Sequence, residues 1–167
     1  MQAKLASAMP LESMQLTIKN CGILAQAANL LSVPIIVTEQ YPQGLGLTLP
    51  EIQQHLTHIK PIAKTTFSAS NEPKFNQQLL PHQSQIVLTG MEAHICILQT
   101  ALSLQQMGKQ VFIVEDAIIS RNPANKANAI LRMREAGCMI TNTESVLFEW
   151  LGNADHSAFK EVSKLAR

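Results

Sequence analysis

Cys96, Lys64 and His94 are the residues whose types and placement best suit chemistry. Cys96 stands in Gly90-Met91-Glu92-Ala93-His94-Ile95-Cys96-Ile97, where an apolar run gives way to a helical pattern. A thiol in the first turn of a helix feels the positive helix end and free backbone N–H groups. Both favour the thiolate, the nucleophilic form. The same position suits a small buried residue at a helix–sheet interface, the commoner use of a free Cys, and position alone leaves both readings open. Cys21 and Cys138 fall inside helix and strand patterns and read as core. Lys64, in Ala63-Lys64-Thr65-Thr66-Phe67, has largely apolar surroundings. It is either a solvated surface group or a cation aimed at the thiol, supplying positive charge and a proton route. His94, two residues before Cys96, is a base, a substrate contact or a bystander. His55 and His58 have the helical spacing of a zinc pair, but no HExxH and no nearby carboxylate completes a site, so no metal is expected. GxGxxG, GxxxxGK[ST] and GxSxG are all absent, which leaves dinucleotide, P-loop and nucleophile-elbow chemistry unsupported.

The elements that must position these residues come from one chain of 167 residues, 46% hydrophobic and 15% charged. That is enough for a single domain over residues 1–167 with its own core. Thirteen Lys and Arg against twelve Asp and Glu, a net charge of +1, exclude a broad basic face for nucleic acid. No apolar run reaches membrane length, and no signal-peptide pattern opens the chain. Three Cys without CxxC spacing exclude a disulfide framework and a Cys-rich zinc site, so a reducing cytoplasm is expected.

Apolar residues at three- and four-residue spacing predict a helix from Leu11 to Leu31. A β-branched strand follows over Val33–Thr38, then an irregular loop from Glu39 to Pro50. Short helices are expected over Glu51–His58 and Asn71–Leu80, with an extended piece over Ile62–Phe67 between them. Gln85–Gly90, Val111–Val114 and Cys138–Thr141 read as strands, Glu115-Asp116 ending the second. Helices are expected over Ala93–Met107, from Asn122-Pro123 to Ala136, from a Thr143 cap to Leu151, and over His156–Leu165. Strands apolar throughout, alternating with helices, mean a mainly parallel sheet covered on both faces, a three-layer α/β/α fold. Ligands of such sheets bind beyond the carboxyl ends of the strands. This singles out Thr38–Tyr41, the Lys64 region, Gly90–Cys96 and Asp116–Arg121.

Those four places carry a resemblance. Thr38-Glu39-Gln40-Tyr41-Pro42-Gln43-Gly44-Leu45-Gly46, Lys64-Thr65-Thr66-Phe67-Ser68, the turn from Gly90 to Ile97 and Asp116-Ala117-Ile118-Ile119-Ser120-Arg121, in this order and spacing, resemble the isochorismatase-like cysteine hydrolase superfamily. The likeness is strongest to its isochorismatase domain-containing branch and covers nearly the whole chain. It implies a Rossmann-like α/β hydrolase in which Cys96 attacks a carbonyl carbon, Lys64 holds the thiolate, and an acyl-enzyme is hydrolysed. It also implies a cis peptide bond at Met91–Glu92, with the N–H groups of Glu92 and Cys96 as oxyanion donors. Tyr41, Phe67, His94 and Glu92 are the expected substrate-binding residues. The expected partners are a small amide, carbamoyl or related substrate and further copies of the chain, with no cofactor, nucleic acid or membrane.

Two departures shape the expectation. Nicotinamidases of the superfamily bind a metal through Asp and His after the second strand of the family fold; this chain has Glu39-Gln40-Tyr41-Pro42 there. The family also opens with an apolar strand ending in its catalytic Asp. Gln2 and Lys4 match the residues after that Asp, which places the strand and the Asp ahead of Met1. Either Met1 is an internal Met of a longer protein, or the chain is truncated and catalytically defective, acting as a binding or scaffold protein. In both cases the 167 residues would leave a one-strand gap in the sheet.

Overall fold

A computed structural model describes residues 1–166. The chain opens with α1 (Ala3–Ala6) and the long α2 (Leu11–Leu30). Strand β1 (Thr38–Gln40) leads to two single-turn helices, α3 (Pro42–Leu45) and α4 (Pro50–Gln53). Then come β2 (Ile62–Lys64), a 3₁₀ turn (Ala69–Asn71) and α5 (Pro73–Gln78). Strand β3 (Gln85–Met91) runs into a π-helical turn (Ala93–Ile97) and α6 (Leu98–Gln106). Strand β4 (Gln110–Ile119), α7 (Pro123–Glu135), β5 (Met139–Thr141), α8 (Thr143–Leu151) and α9 (Phe159–Leu165) complete the order.

All strand pairs are parallel, as expected of strands joined by helical crossovers. Among the described residues they form two sheets, β1-β2 and β3-β4-β5, with no ladder between them. Core residues lie on both faces. Val111, Ile113 and Ile118 of β4 pack with Leu98, Ala101 and Leu104 of α6 and Ala129 and Met133 of α7. Val114 and Ala117 pack on the other side with Cys21, Leu24 and Ala25 of α2 and Val146 of α8. The result is the helix–sheet–helix layering that apolar strands require.

Several boundaries depart from the sequence reading. Val33–Val37 has no regular structure, and the ladder begins only at Thr38, opposite Ile62 of β2. β4 does not stop at Glu115-Asp116. It continues to Ile119 by stepping its register, from Leu88 opposite Ile113 to Gly90 opposite Ile118. This bulge lets charged Glu115 and Asp116 leave the β3–β4 ladder while Ile118 and Ile119 return to it. The cap of α8 is Asn142, whose side chain accepts from the Ser145 N–H, rather than Thr143; Thr143 is bonded through its N–H and hydroxyl to Asp116 Oδ1, at 2.9 Å each. The loop from Glu39 to Pro50 is largely built into α3. Its Tyr41 has φ 38°, and a Cβ on Gly44 would run into the Tyr41 ring. In α9, Phe159, Val162 and Leu165 pack against Ala27, Leu147 and Leu151 of α2 and α8, so this stripe docks within the chain.

Candidate functional site

β2 delivers Lys64 and β3 delivers the turn holding Cys96, both at carboxyl strand ends. Lys64 lies opposite Gln40 in the β1–β2 register, and only 5% of it is exposed. Its Nζ donates to Gln40 Oε1 at 2.6 Å and to the carbonyls of Thr66 and Phe67 at 2.9 Å each. Three N–H bonds thus meet three neutral oxygens. The fourth contact, to Cys96 Sγ at 3.8 Å, holds the ammonium over the thiol as a charge. Burial pulls the Lys64 pKa down, while the charge of Cys96 and its hydrogen bond pull it back up. Among the described residues no carboxylate forms an ion pair with Lys64.

The turn carrying Cys96 differs from the α-helix expected there. Gly90 takes φ 116°, the left-handed region in which Gly alone is at ease, and the Met91–Glu92 bond is cis. Ala93–Ile97 then forms a π turn before α6 begins. Such turns widen the backbone ring and recur at functional sites. The Glu92 N–H finds no backbone acceptor among the described residues, and the Cys96 N–H finds none outside its own turn.

Cys96, half-buried, and Lys64 line one cavity of about 810 Å³. Its lining also includes Cys21 and Thr89 and runs along the whole of β3. Tyr41, 53% exposed, lines a second hollow of about 240 Å³ on the other side of Lys64, with Thr65 and Glu72. Phe67 offers its carbonyl to Lys64 and leaves its ring largely exposed.

Glu92 and His94 belong to a separate polar cluster. Buried Glu92 pairs with Arg121 Nε at 2.8 Å and accepts the Arg121 backbone N–H at 3.2 Å. His94 Nδ1 lies 2.9 Å from Ser120 Oγ and 3.6 Å from Glu92 Oε2, and Nε2 lies 3.4 Å from Asn125 Nδ2. An amide donor at Nε2 assigns the ring proton to Nδ1. Ser120 and Glu92 thus meet the same ring nitrogen, so Ser120, His94 and Glu92 do not form a relay in which the base takes up the hydroxyl proton at one nitrogen and is oriented through the other. No hydrogen bond joins either nitrogen to Cys96.

The structure sets Lys64 Nζ 3.8 Å from Cys96 Sγ, and three further residues shape the surroundings that the sequence reading gave no role. Gln40 orients Lys64, and Gln2 holds Gln40 in place by accepting its N–H at 2.7 Å and donating to its carbonyl at 2.9 Å. Arg121 neutralises Glu92. The available signal for Gln40 and Arg121 was their place at or just after carboxyl strand ends, where polar residues in an apolar pattern face a ligand or one another. His55 and His58 join no site: among the described residues no three His, Cys, Asp or Glu side chains gather as metal ligands.

This fold, with a thiol and a buried ammonium at the strand ends, is that of an isochorismatase-like hydrolase. The isochorismatase domain matches residues 1–145, and the chain belongs to that family. It is 41% identical over 146 residues to the isochorismatase domain-containing protein 2 of Bos taurus, covering 86% of this chain and 70% of that one. The Xenopus laevis protein of the same description is 42% identical over 143 residues, covering 85% and 69%. Among solved structures, a Caenorhabditis elegans protein described as MAR1 ribonuclease superposes with a TM-score of 0.91 at 38% identity, over 98% of this chain and 84% of that one. YcaC from Pseudomonas aeruginosa, described with hexane-2,5-diol and covalent acrylamide, gives 0.88 at 25%, over 98% and 84%. A nicotinamidase from Streptococcus mutans, at 19% identity and 0.66 over 75% and 85%, shares the fold.

Proposed function

We propose that this protein is a cysteine hydrolase of small amides, carbamoyl compounds or related electrophiles, with Cys96 as nucleophile and Lys64 as its charged partner. The observation that carries the reading is the 3.8 Å contact of a buried ammonium with a thiol at the mouth of a cavity. A cation so placed favours the thiolate, and burial strengthens its field. The thiolate sulfur adds to the carbonyl carbon, and the carbonyl π pair moves to oxygen. The N–H groups of Glu92 and Cys96, which flank the turn before the thiol, are our candidate oxyanion donors. Collapse breaks the C–N bond and expels the amine, which takes up, through solvent, the proton the thiol gave up; water then adds to the thioester, and its protons go to the acid and the regenerated thiol. Tyr41 and Phe67, on the Lys64 side, and Glu92 and His94, on the turn that carries Cys96, are our candidates for substrate recognition. Covalent acrylamide on the YcaC relative supports a nucleophile in this fold that small amides can reach.

The competing reading is a catalytically silent binding protein that keeps the fold. Ribonuclease chemistry, named for the Caenorhabditis elegans relative, finds little support in a net charge of +1. A panel of amides, carbamoyl compounds, vinyl ethers and an RNA oligomer, assayed with wild type and Cys96→Ala, separates the three. The hydrolase reading requires Cys96-dependent turnover of a small carbonyl substrate. Turnover of RNA alone, or of nothing, overturns it. Self-association and a cytoplasmic, cofactor-free life belong to the same proposal; among the described residues no helix is long and apolar enough to cross a membrane. Light scattering showing only monomer at micromolar concentration rejects the assembly.

A further inference from the structure

Lys64 and Cys96 lie 32 residues apart in the chain, yet their side chains meet at 3.8 Å. Two of the three oxygens that hold the ammonium are the carbonyls of Thr66 and Phe67. The place of the ammonium over the thiol therefore depends on where this loop sits relative to the turn and helix that carry Cys96. Side-chain hydroxyls fasten the loop to α6. Thr100, four residues after Cys96, accepts the Ala69 N–H at 2.9 Å through its hydroxyl oxygen. Ser103, seven residues after Cys96, accepts the Ser68 hydroxyl at 3.2 Å. Thr66 donates its own hydroxyl to the Ser68 carbonyl at 2.9 Å, which ties the carbonyl cage to the fastened residues.

The serines form a directed chain. Ser103 gives its proton to the Gln99 carbonyl at 2.9 Å, so its oxygen is left to accept from Ser68. Ser68, its proton so used, accepts from Ser70, 3.0 Å away. Ser70 in turn offers its carbonyl to Asn76 Nδ2 at 2.8 Å. Ser68, Ser70 and Thr100 are buried where the loop meets Phe75, Leu98, Ala101 and Leu104. Apolar packing would cover that interface without desolvating any hydroxyl. A bonded hydroxyl network adds what packing does not: it holds the two sides in one arrangement. We propose that Thr100, supported by Ser68 and Ser103, is a positioning residue that sets the distance between the Lys64 ammonium and the Cys96 thiol. This rests on the pairing of those two residues in the hydrolase reading. Among the described residues no side-chain hydrogen bond joins Thr100 to Lys64 or to the thiol, so Thr100 acts through the loop.

The test reads iodoacetamide labelling of the full chain near neutral pH, in wild type and in Thr100→Val, Thr100→Ser, Ser103→Ala and Lys64→Met. Val keeps the branched shape of Thr without the hydroxyl, and Ser keeps the hydroxyl. Thr100→Val is expected to slow Cys96 labelling severalfold, with Cys21 labelling still slow because the core is intact. Thr100→Ser is expected to restore the wild-type rate, and Ser103→Ala to slow labelling to a smaller degree. Added to Lys64→Met, Thr100→Val is expected to change nothing further, because the cation it positions is gone. Thr17→Val removes a buried hydroxyl bond to the Ser13 carbonyl, 2.8 Å long, within α2; it controls for lost stability and is expected to keep the wild-type rate. A wild-type rate in Thr100→Val, beside a slowed Lys64→Met, overturns the positioning role and leaves the hydrolase reading untouched. Further slowing in the double variant, or equal slowing by Thr17→Val, also overturns it. An unchanged rate in Lys64→Met removes the Lys64 assignment and the proposal with it. If Thr100→Val does not fold, a wild-type rate in Ser103→Ala overturns the proposal.

Discussion

Cys96 and Cys21 line the same cavity from opposite environments. Cys96 stands at the strand ends, half-buried, with an ammonium 3.8 Å from its sulfur. Cys21 stands in the middle of α2, among Leu24, Ala25 and Val114, and donates to the Ala117 carbonyl at 3.3 Å. Burial pushes the Cys21 pKa up to about 11, the Thr89 hydrogen bond only partly opposing it. Cys138 is pushed up for the same reason. The difference lies in what surrounds the thiol. A packed interior keeps sulfur protonated and inert, whereas a strand end with a buried cation prepares it for attack.

The largest expected effect comes from removing one sulfur or the other. Cys96→Ala should lower hydrolysis of the best substrate by about 10³-fold or more, as loss of a nucleophile does. Cys21→Ala should leave turnover within about twofold and cost about 1 kcal/mol of stability in a denaturant titration. Retention of more than a few percent of activity by Cys96→Ala would break the contrast at its root.

Lys64→Met sharpens the contrast by removing only the cation. Labelling of Cys96 near neutrality should slow severalfold, because the cation 3.8 Å from the sulfur is gone. Cys21 labelling should not change. An unchanged rate of Cys96 labelling would mean that the ammonium does not act on the sulfur.

Glu92→Gln should have a smaller effect. It keeps the shape of the carboxylate but removes its charge, and Arg121 is more than half exposed, so stability should fall by no more than about 1 kcal/mol. Labelling of Cys96 should slow less than in Lys64→Met. A larger slowing would shift control of the thiol from the Lys64 side to the Glu92 side.

The smallest effect expected is on Cys21 across ordinary pH. With its pKa raised to about 11, Cys21 remains a thiol throughout the neutral range, so its labelling should stay slow from pH 6 to pH 9 and rise only as the pH approaches 11. The sign follows from burial: the charged thiolate is disfavoured, and more alkali is needed to form it. Rapid Cys21 labelling at neutral pH would contradict the packed interior drawn around it.

The layered α/β architecture was legible because buried strands are apolar throughout, and Val111–Val114 and Gln85–Gly90 show this directly. Cys96 and Lys64 were legible from their positions after strands and from the order of four segments. The length of β4 was not, because Glu115-Asp116 reads as a strand end and only the neighbouring β3 makes room for the bulge. The π turn escaped for a related reason: Ala93–Ile97 has an ordinary helical composition, and its widened ring depends on how β3 delivers the chain. Gln40 escaped because its partner, Lys64, is twenty-four residues away and meets it only through the β1–β2 register. Tertiary pairing decided all three.

Competitive alkylation tests the central claim most directly. Native protein is treated with limiting iodoacetamide at pH 6, quenched in acid and digested, and the three cysteines are quantified by mass spectrometry. The account predicts that Cys96 is modified far faster than Cys21 and Cys138, and that Lys64→Met removes most of that advantage. Equal, slow labelling of all three sulfurs would contradict it.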